Sequence, residues 1–157
     1  MFVLGIDPGL RVTGYGLIRM TNKNLSLIEA GIIKTNDKQT IGQRLKRIYD
    51  DLDGIFKQHK IDVVVLEKLF AHAKHPMTAS ILGHVRGVAV LVTVKRKSIL
   101  FEYLPTRVKK SIVGNGHASK EQVQQMVFKH LGIKSAPLEY DATDALALAM
   151  TYCFSNK

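Results

Sequence analysis

Phe2-Val-Leu-Gly-Ile-Asp7 is the stretch on which the rest of the chain turns: five residues without a polar side chain, then a carboxylate. A run that scarcely alternates predicts a strand covered on both faces, and the Pro8-Gly9 that follows predicts a turn. The pattern recurs at Val63-Val-Val-Leu-Glu67. Working outward, residues 12–20 alternate with small residues and predict a second strand. Thr21-Asn-Lys-Asn24 reads as a hairpin turn, and residues 25–34 as a third strand antiparallel to the second.

Residues 41–59 form an amphipathic helix on Leu45, Ile48, Leu52, Ile55 and Phe56. Residues 62–67 are the fourth strand, followed by a loop at 68–76 rich in His and Lys. Ile81, Leu82, Val85, Val88, Ala89 and Val92 place a long helix at 77–97, although its Val-rich second half also has strand propensity. Residues 99–104 are the fifth strand. Pro105 opens a short helix through 113, which Gly114-Asn-Gly116 breaks. Ser119 and Gln122 form a capping-box pattern ahead of Val123, Met126, Val127 and Leu131, with Gly132 as the stop. Residues 140–154 make the last helix. The order β-β-β-α-β-α-β-α-α-α is α/β: a five-stranded mixed sheet, its first three strands antiparallel, flanked by helices. With no repeat or linker, residues 1–157 are expected to form a single domain.

Lys and Arg total 23 against 13 Asp and Glu, a net charge of +10, which favours a polyanionic partner. Basic proteins without such a partner also exist. The single cysteine, Cys153, excludes an intrachain disulfide and a multi-cysteine zinc site, and fits a reducing compartment. The N-terminus lacks a signal-peptide pattern. The longest apolar stretch, 87–94, falls short of the roughly 18 residues a membrane span needs. A cytoplasmic protein with no membrane partner is expected.

Against this basic background four acids stand out. Asp7 and Glu67 end apolar strands, and in mixed sheets ligand sites lie at strand ends. Asp141 and Asp144, three apart, share one helix face with Cβ atoms roughly 5–6 Å apart. Each has an ordinary reading: a strand's exit to solvent, or acids favoured by a helix dipole. The following Ala145-Leu-Ala-Leu-Ala-Met150 is apolar nearly all round, however, so this helix start should be buried and its acids need a partner. Gathered anions repel and raise one another's pKa, and a divalent cation removes that cost. Hard oxygen ligands suit Mg²⁺, with Mn²⁺ as a substitute. Two such ions about 3.5–4 Å apart can activate a water and stabilise the leaving 3′ oxygen of a phosphodiester.

Gly5-Ile-Asp-Pro-Gly-Leu-Arg-Val-Thr-Gly-Tyr-Gly16 resembles the opening signature of the RuvC-type Holliday-junction endonucleases. Leu66-Glu-Lys-Leu-Phe70 resembles their second acid motif. Arg107-Val-Lys-Lys-Ser-Ile-Val-Gly-Asn-Gly116 with Ser119-Lys120 resembles their basic stretch, and Asp141-Ala-Thr-Asp-Ala-Leu-Ala147 their last acid motif. These motifs span nearly the whole chain in the right order. The resemblance implies an RNase H-like fold and a homodimer that resolves four-way DNA junctions by paired symmetric nicks in recombination and repair. It implies Asp7, Glu67, Asp141 and Asp144 as catalytic ligands of two Mg²⁺ ions, and RuvA–RuvB as the partner machinery. One departure is that Met150-Thr-Tyr-Cys-Phe154 lacks histidines that often follow the last motif, which bears on rate or metal preference rather than on the reaction.

The resemblance also places Phe70 where an aromatic stacks near the exchange point, a contact worth about 1–3 kcal/mol. The alternative is a core Phe after a strand. It puts Lys109 and Lys120 near the scissile phosphate, where a cation stabilises developing charge. Lys110 is either a phosphate contact or a solvated helix face, and Arg11 and Arg86 are further DNA-contact candidates. Asp50-Asp-Leu-Asp53 reads as a solvated face. Two nicks per junction call for two sites related by a two-fold axis. The helix carrying Gly83-His-Val-Arg-Gly87 is the expected interface, or else packs closely on its own sheet. Actin-like ATPases and sugar kinases share a Gly-Ile-Asp-x-Gly start but need a second lobe. A binding-only junction protein would not need four acids. YqgF-type nucleases acting on RNA are the enzymatic rival.

Overall fold

The computed structural model describes residues 1–22, 24–68, 76–134 and 138–156. Its strands are β1 (Phe2–Asp7), β2 (Val12–Thr21), β3 (Asn24–Lys34), β4 (Val63–Glu67) and β5 (Ile99–Tyr103), in the sheet order β3-β2-β1-β4-β5. Its helices are α1 (Ile41–Gln58), α2 (Pro76–Lys95), α3 (Pro105–Val113), α4 (Lys120–Leu131) and α5 (Tyr140–Ser155). The first three strands pair antiparallel and β4 and β5 run parallel to β1, as the expected mixed sheet requires.

Side-chain alternation divides the core. Val3, Ile18, Val63 and Val65 face α3, α4 and α5, whereas Leu4, Ile6, Leu17, Val64 and Leu66 face α1 and α2. Central β1 and β4 are covered on both sides, which is why neither alternates in sequence. Helix α5 is buried from Ala142 through Cys153 except at Asp144, as an apolar helix laid across a sheet must be.

Small shifts at element ends have local causes. Asp62 lies just outside β4, although its amide donates to the Phe2 carbonyl at 3.0 Å and its carboxylate accepts from the Phe2 amide at 2.7 Å. Helix α2 stops at Lys95, and Lys97 turns the chain in the left-handed region at φ 58°. Leu104 serves as the N-cap of α3 rather than extending β5. The Thr40–Gln43 and Ser119–Gln122 capping boxes fix the starts of α1 and α4, and Gly132 ends α4 at φ 66°.

Two readings are corrected on the α1–α2 side. Asp53 is not part of a solvated face: it is buried, and its carboxylate pairs with Arg96 of α2 and Lys57. Asp50 and Asp51 do lie outward, pairing with Lys46 and Arg47 one turn back. The outlook on α2 as too short an apolar stretch also changes. Met77–Lys95 is long and apolar enough to cross a membrane by length and composition. Its inner side, through Val85, Ala89 and Val92, belongs to the core beneath the sheet.

Candidate active site

Parallel pairing of β1 with β4 matches Ile6 to Leu66, so the next residues, Asp7 and Glu67, leave the sheet side by side. The Pro8-Gly9 turn behind Asp7 is closed by Thr13, whose fully buried hydroxyl donates to the Gly9 carbonyl at 2.7 Å.

Helix α5 brings the third and fourth acids. It can lie directly on β1 and β2 because those strands present glycine. A Cβ on Gly5 would sit 1.8 Å from the Ala145 carbonyl oxygen, and one on Gly14 2.0 Å from that of Asp141. Gly5 and Gly14 of the opening motif thus admit a helix backbone, a role distinct from cradling phosphate. Gln124 of α4 steadies this end of α5, donating to the Leu138 carbonyl at 3.2 Å and the Thr143 hydroxyl at 3.3 Å.

A pocket of about 290 Å³ opens here, lined by Asp7, Glu67 and Asp144 with Lys109 of α3 and Lys120 of α4. Its floor includes Val108, Val123, Ala147 and Leu148. Asp141 lies one turn from Asp144, outside the pocket lining, yet acts on Asp7 through its charge. Lys120 Nζ stands 3.1 Å from Asp144 Oδ2. The capping box at Ser119 starts α4 so that its first residue, Lys120, meets the acid.

The electrostatics are those of under-compensated anions. Burial first, then the charges of Asp144, Glu67 and Asp141, push the Asp7 carboxyl up to about 7, against a smaller lowering by Lys120. Glu67 is raised by burial and by Asp144. Burial also raises Asp144, opposed by the charge and hydrogen bond of Lys120. Lys120 is itself raised, chiefly by Asp144. Among the described residues no three His, Cys, Asp or Glu side chains already converge tightly enough to hold one ion. Asp7, Glu67 and Asp144 face one pocket, and each raises the cost of ionising its neighbours. An all-oxygen donor set with raised pKa values fits Mg²⁺ or Mn²⁺.

The other expected contacts fare differently. Lys109 lines the acid pocket. Lys110 turns away to a separate surface hollow with Arg107, Ser111 and Ser155. Arg11 is exposed beside Lys34, Thr35, Asn36 and Asp37, in another hollow. Phe70 lies outside the described residues. Arg86, the other DNA-contact candidate, is engaged within the protein: its guanidinium donates to the Glu67 main-chain carbonyl at 2.5 Å and pairs with Glu102. Gly83 and Gly87 are exposed, and an added Cβ on either would meet nothing within 4 Å, so they do not serve close packing on their own sheet. Gln124 and Glu102 were not singled out in the sequence. Only Glu102 left a signal, as the one charge inside Ile99-Leu-Phe-Glu-Tyr103.

A mixed sheet in this order, with acids at adjoining strand ends and a closing helix laid over them, defines an RNase H-like protein with an acidic pocket. The family model described as crossover junction endodeoxyribonuclease RuvC matches residues 3–152, and the chain belongs to that family. It is 41% identical over 156 residues to the crossover junction endodeoxyribonuclease RuvC of Alkaliphilus metalliredigens, covering 99% of this chain and 94% of the relative. The Thermus thermophilus RuvC structure superposes with a TM-score of 0.90 at 30% identity, over 99% of this chain and 95% of that one. T. thermophilus RuvC in complex with Holliday junction substrate gives a TM-score of 0.91 at 29% identity, over 99% and 94%.

Proposed function

We propose that this protein is a crossover-junction endodeoxyribonuclease that resolves four-way DNA junctions by paired nicks, serving recombination and repair in the cytoplasm. The observation that carries the reading is the meeting of Asp7, Glu67 and Asp144 in one pocket whose other charged walls are Lys109 and Lys120. Family membership points the same way.

Asp7, Glu67, Asp144 and the neighbouring Asp141 are the residues that would hold Mg²⁺, two ions per site. Such ions, when bound, supply an activated water and neutralise the leaving 3′ oxygen. Lys120 orients Asp144 and, with Lys109, offers positive charge to the non-bridging oxygens of the scissile phosphate. Lys110 and Arg11, well apart from the pocket, would meet flanking phosphates and make affinity salt-dependent. Phe70 would stack on an unpaired base at the exchange point.

Paired nicks need two pockets, and α2 offers the face for a second copy. Its outward stripe runs through Met77, Gly83, Gly87, Leu91 and Val94, with Met77, Leu91 and Val94 between 59% and 74% exposed. The apolar composition of α2 then serves the sheet on one side and a homodimer on the other. RuvA–RuvB is the partner complex the same reading expects.

The test incubates the protein with a mobile four-way junction and Mg²⁺ beside duplex and single-stranded controls. Paired nicks confined to the junction are expected. Equal cutting of all three would indicate a general nuclease, and tight binding without cleavage an architectural protein; an RNA substrate added in parallel and cut in preference would indicate the YqgF-type rival. Sedimentation should give a dimer, and Val94→Glu should shift it toward monomer.

A further inference from the structure

We propose that Arg86 is a positioning residue for Glu67, acting from the side of the sheet opposite the acid pocket. The inference rests on reading that pocket as the cutting site.

Strand alternation separates the two carboxylates that flank Arg86. Val63 and Val65 face α5, and Glu67, two further along, carries its carboxylate to the same side, where it lines the pocket. Glu102 is paired in register with Leu66, whose side chain packs with α1 and α2, so it points the other way, toward α2. Arg86 rises from α2 on that second side, with its side chain 16% exposed. One arm of its guanidinium pairs with Glu102, and the other donates to the main-chain oxygen of Glu67 at 2.5 Å. The Lys68 amide donates to the Tyr103 carbonyl at 2.8 Å, so the peptide after Glu67 is tied at both its atoms.

The physical consequence is rotational. Glu67 is the last residue of β4, where the strand ladder no longer fixes the peptide on both sides. Its carboxylate lines the pocket together with that of Asp144, a like charge that gives it no attractive partner to hold its direction. A planar fork held by Glu102 gives the carbonyl one defined direction, and with it the carboxylate on the same residue. A lysine keeps the charge but not the fork. Displacement of about 1 Å at a reacting centre costs on the order of 10²-fold in rate.

Arg86→Lys and Glu102→Gln decide the matter. Three readouts are needed: junction affinity without divalent metal, single-turnover cleavage at saturating protein, and calorimetric titration of Mn²⁺ into the metal-free protein. Arg86→Lys should bind the junction within about twofold of wild type, cleave roughly 10–100-fold more slowly at saturation, and bind Mn²⁺ several-fold more weakly. Glu102→Gln should move the last two readouts the same way by less. Loss of junction affinity with an unchanged saturated rate would make Arg86 a DNA contact and overturn the proposal. So would unchanged rate and Mn²⁺ affinity. Should Arg86→Lys fail to melt cooperatively, Glu102→Gln decides by the same criteria. A wild-type protein that binds Mn²⁺ but cuts no junction would sink the functional reading and leave the Mn²⁺ comparison to judge Arg86. One that does neither overturns both.

Discussion

The two sides of the sheet handle buried charge in opposite ways. On the α1–α2 side Asp53 is matched by Arg96 and Lys57, and Glu102 by Arg86. Hydrogen bonds from Arg96 and Lys57 hold Asp53 below the usual carboxylate range. On the α5 side Asp7, Glu67 and Asp144 face one another and, among the described residues, only Asp144 has an ion pair, with Lys120; all three are raised. Acids behind the sheet are neutralised by the protein's own cations. Acids left short of positive charge keep raised pKa values, and it is there that the proposed cation would bind.

The sharpest way to break that contrast is Asp7→Asn. Cleavage of a four-way junction should fall by at least about 10³-fold with junction affinity little changed, read by single-turnover assay and gel shift. Normal cutting would show that the raised acid is not part of the chemistry. Lys120→Ala should reduce cleavage by roughly 10²–10³-fold, again mostly in the saturated rate.

Stability sharpens the contrast further. Asp7 keeps its proton to about pH 7 in the fold but only to about 3.8 as a freely solvated side chain. The folded state therefore holds the extra proton between those values, and the metal-free protein should lose stability as pH rises through that window, then level off. Asp7→Asn should remove this loss, on the order of 2–4 kcal/mol by denaturant melts at pH 8 against pH 4. Mg²⁺ at about a hundred times its Kd should restore roughly 2.7 kcal/mol to wild type and much less to the variant. The smallest effect is expected from the matched side. Asp53→Ala should lower Tm by several degrees by leaving Arg96 without its partner, while cleavage at permissive temperature stays near wild type.

Much of this was legible because strand ends and helix starts carry their chemistry in one dimension. Apolar runs capped by Asp7 and Glu67 gave the strands, and the capping box at Ser119 gave the start of α4 that places Lys120. What could not be read was reach across layers. Arg86 and Lys120 are both helix cations, yet one faces Glu102 behind the sheet and the other Asp144 in front. Asp53 looked solvated beside Asp50 and Asp51, because nothing local announces Arg96, 43 residues away. Gly5 and Gly14 read as signature residues, and only the path of α5 shows that they are contact surface.

Carboxyl ¹³C NMR of Asp7 across pH, in metal-free protein and with saturating Mg²⁺, tests the under-compensated cluster most directly. A midpoint near 7 is expected without metal, falling into the ordinary carboxylate range once Mg²⁺ is added. A midpoint near 3.8 without metal, unmoved by Mg²⁺, would contradict it.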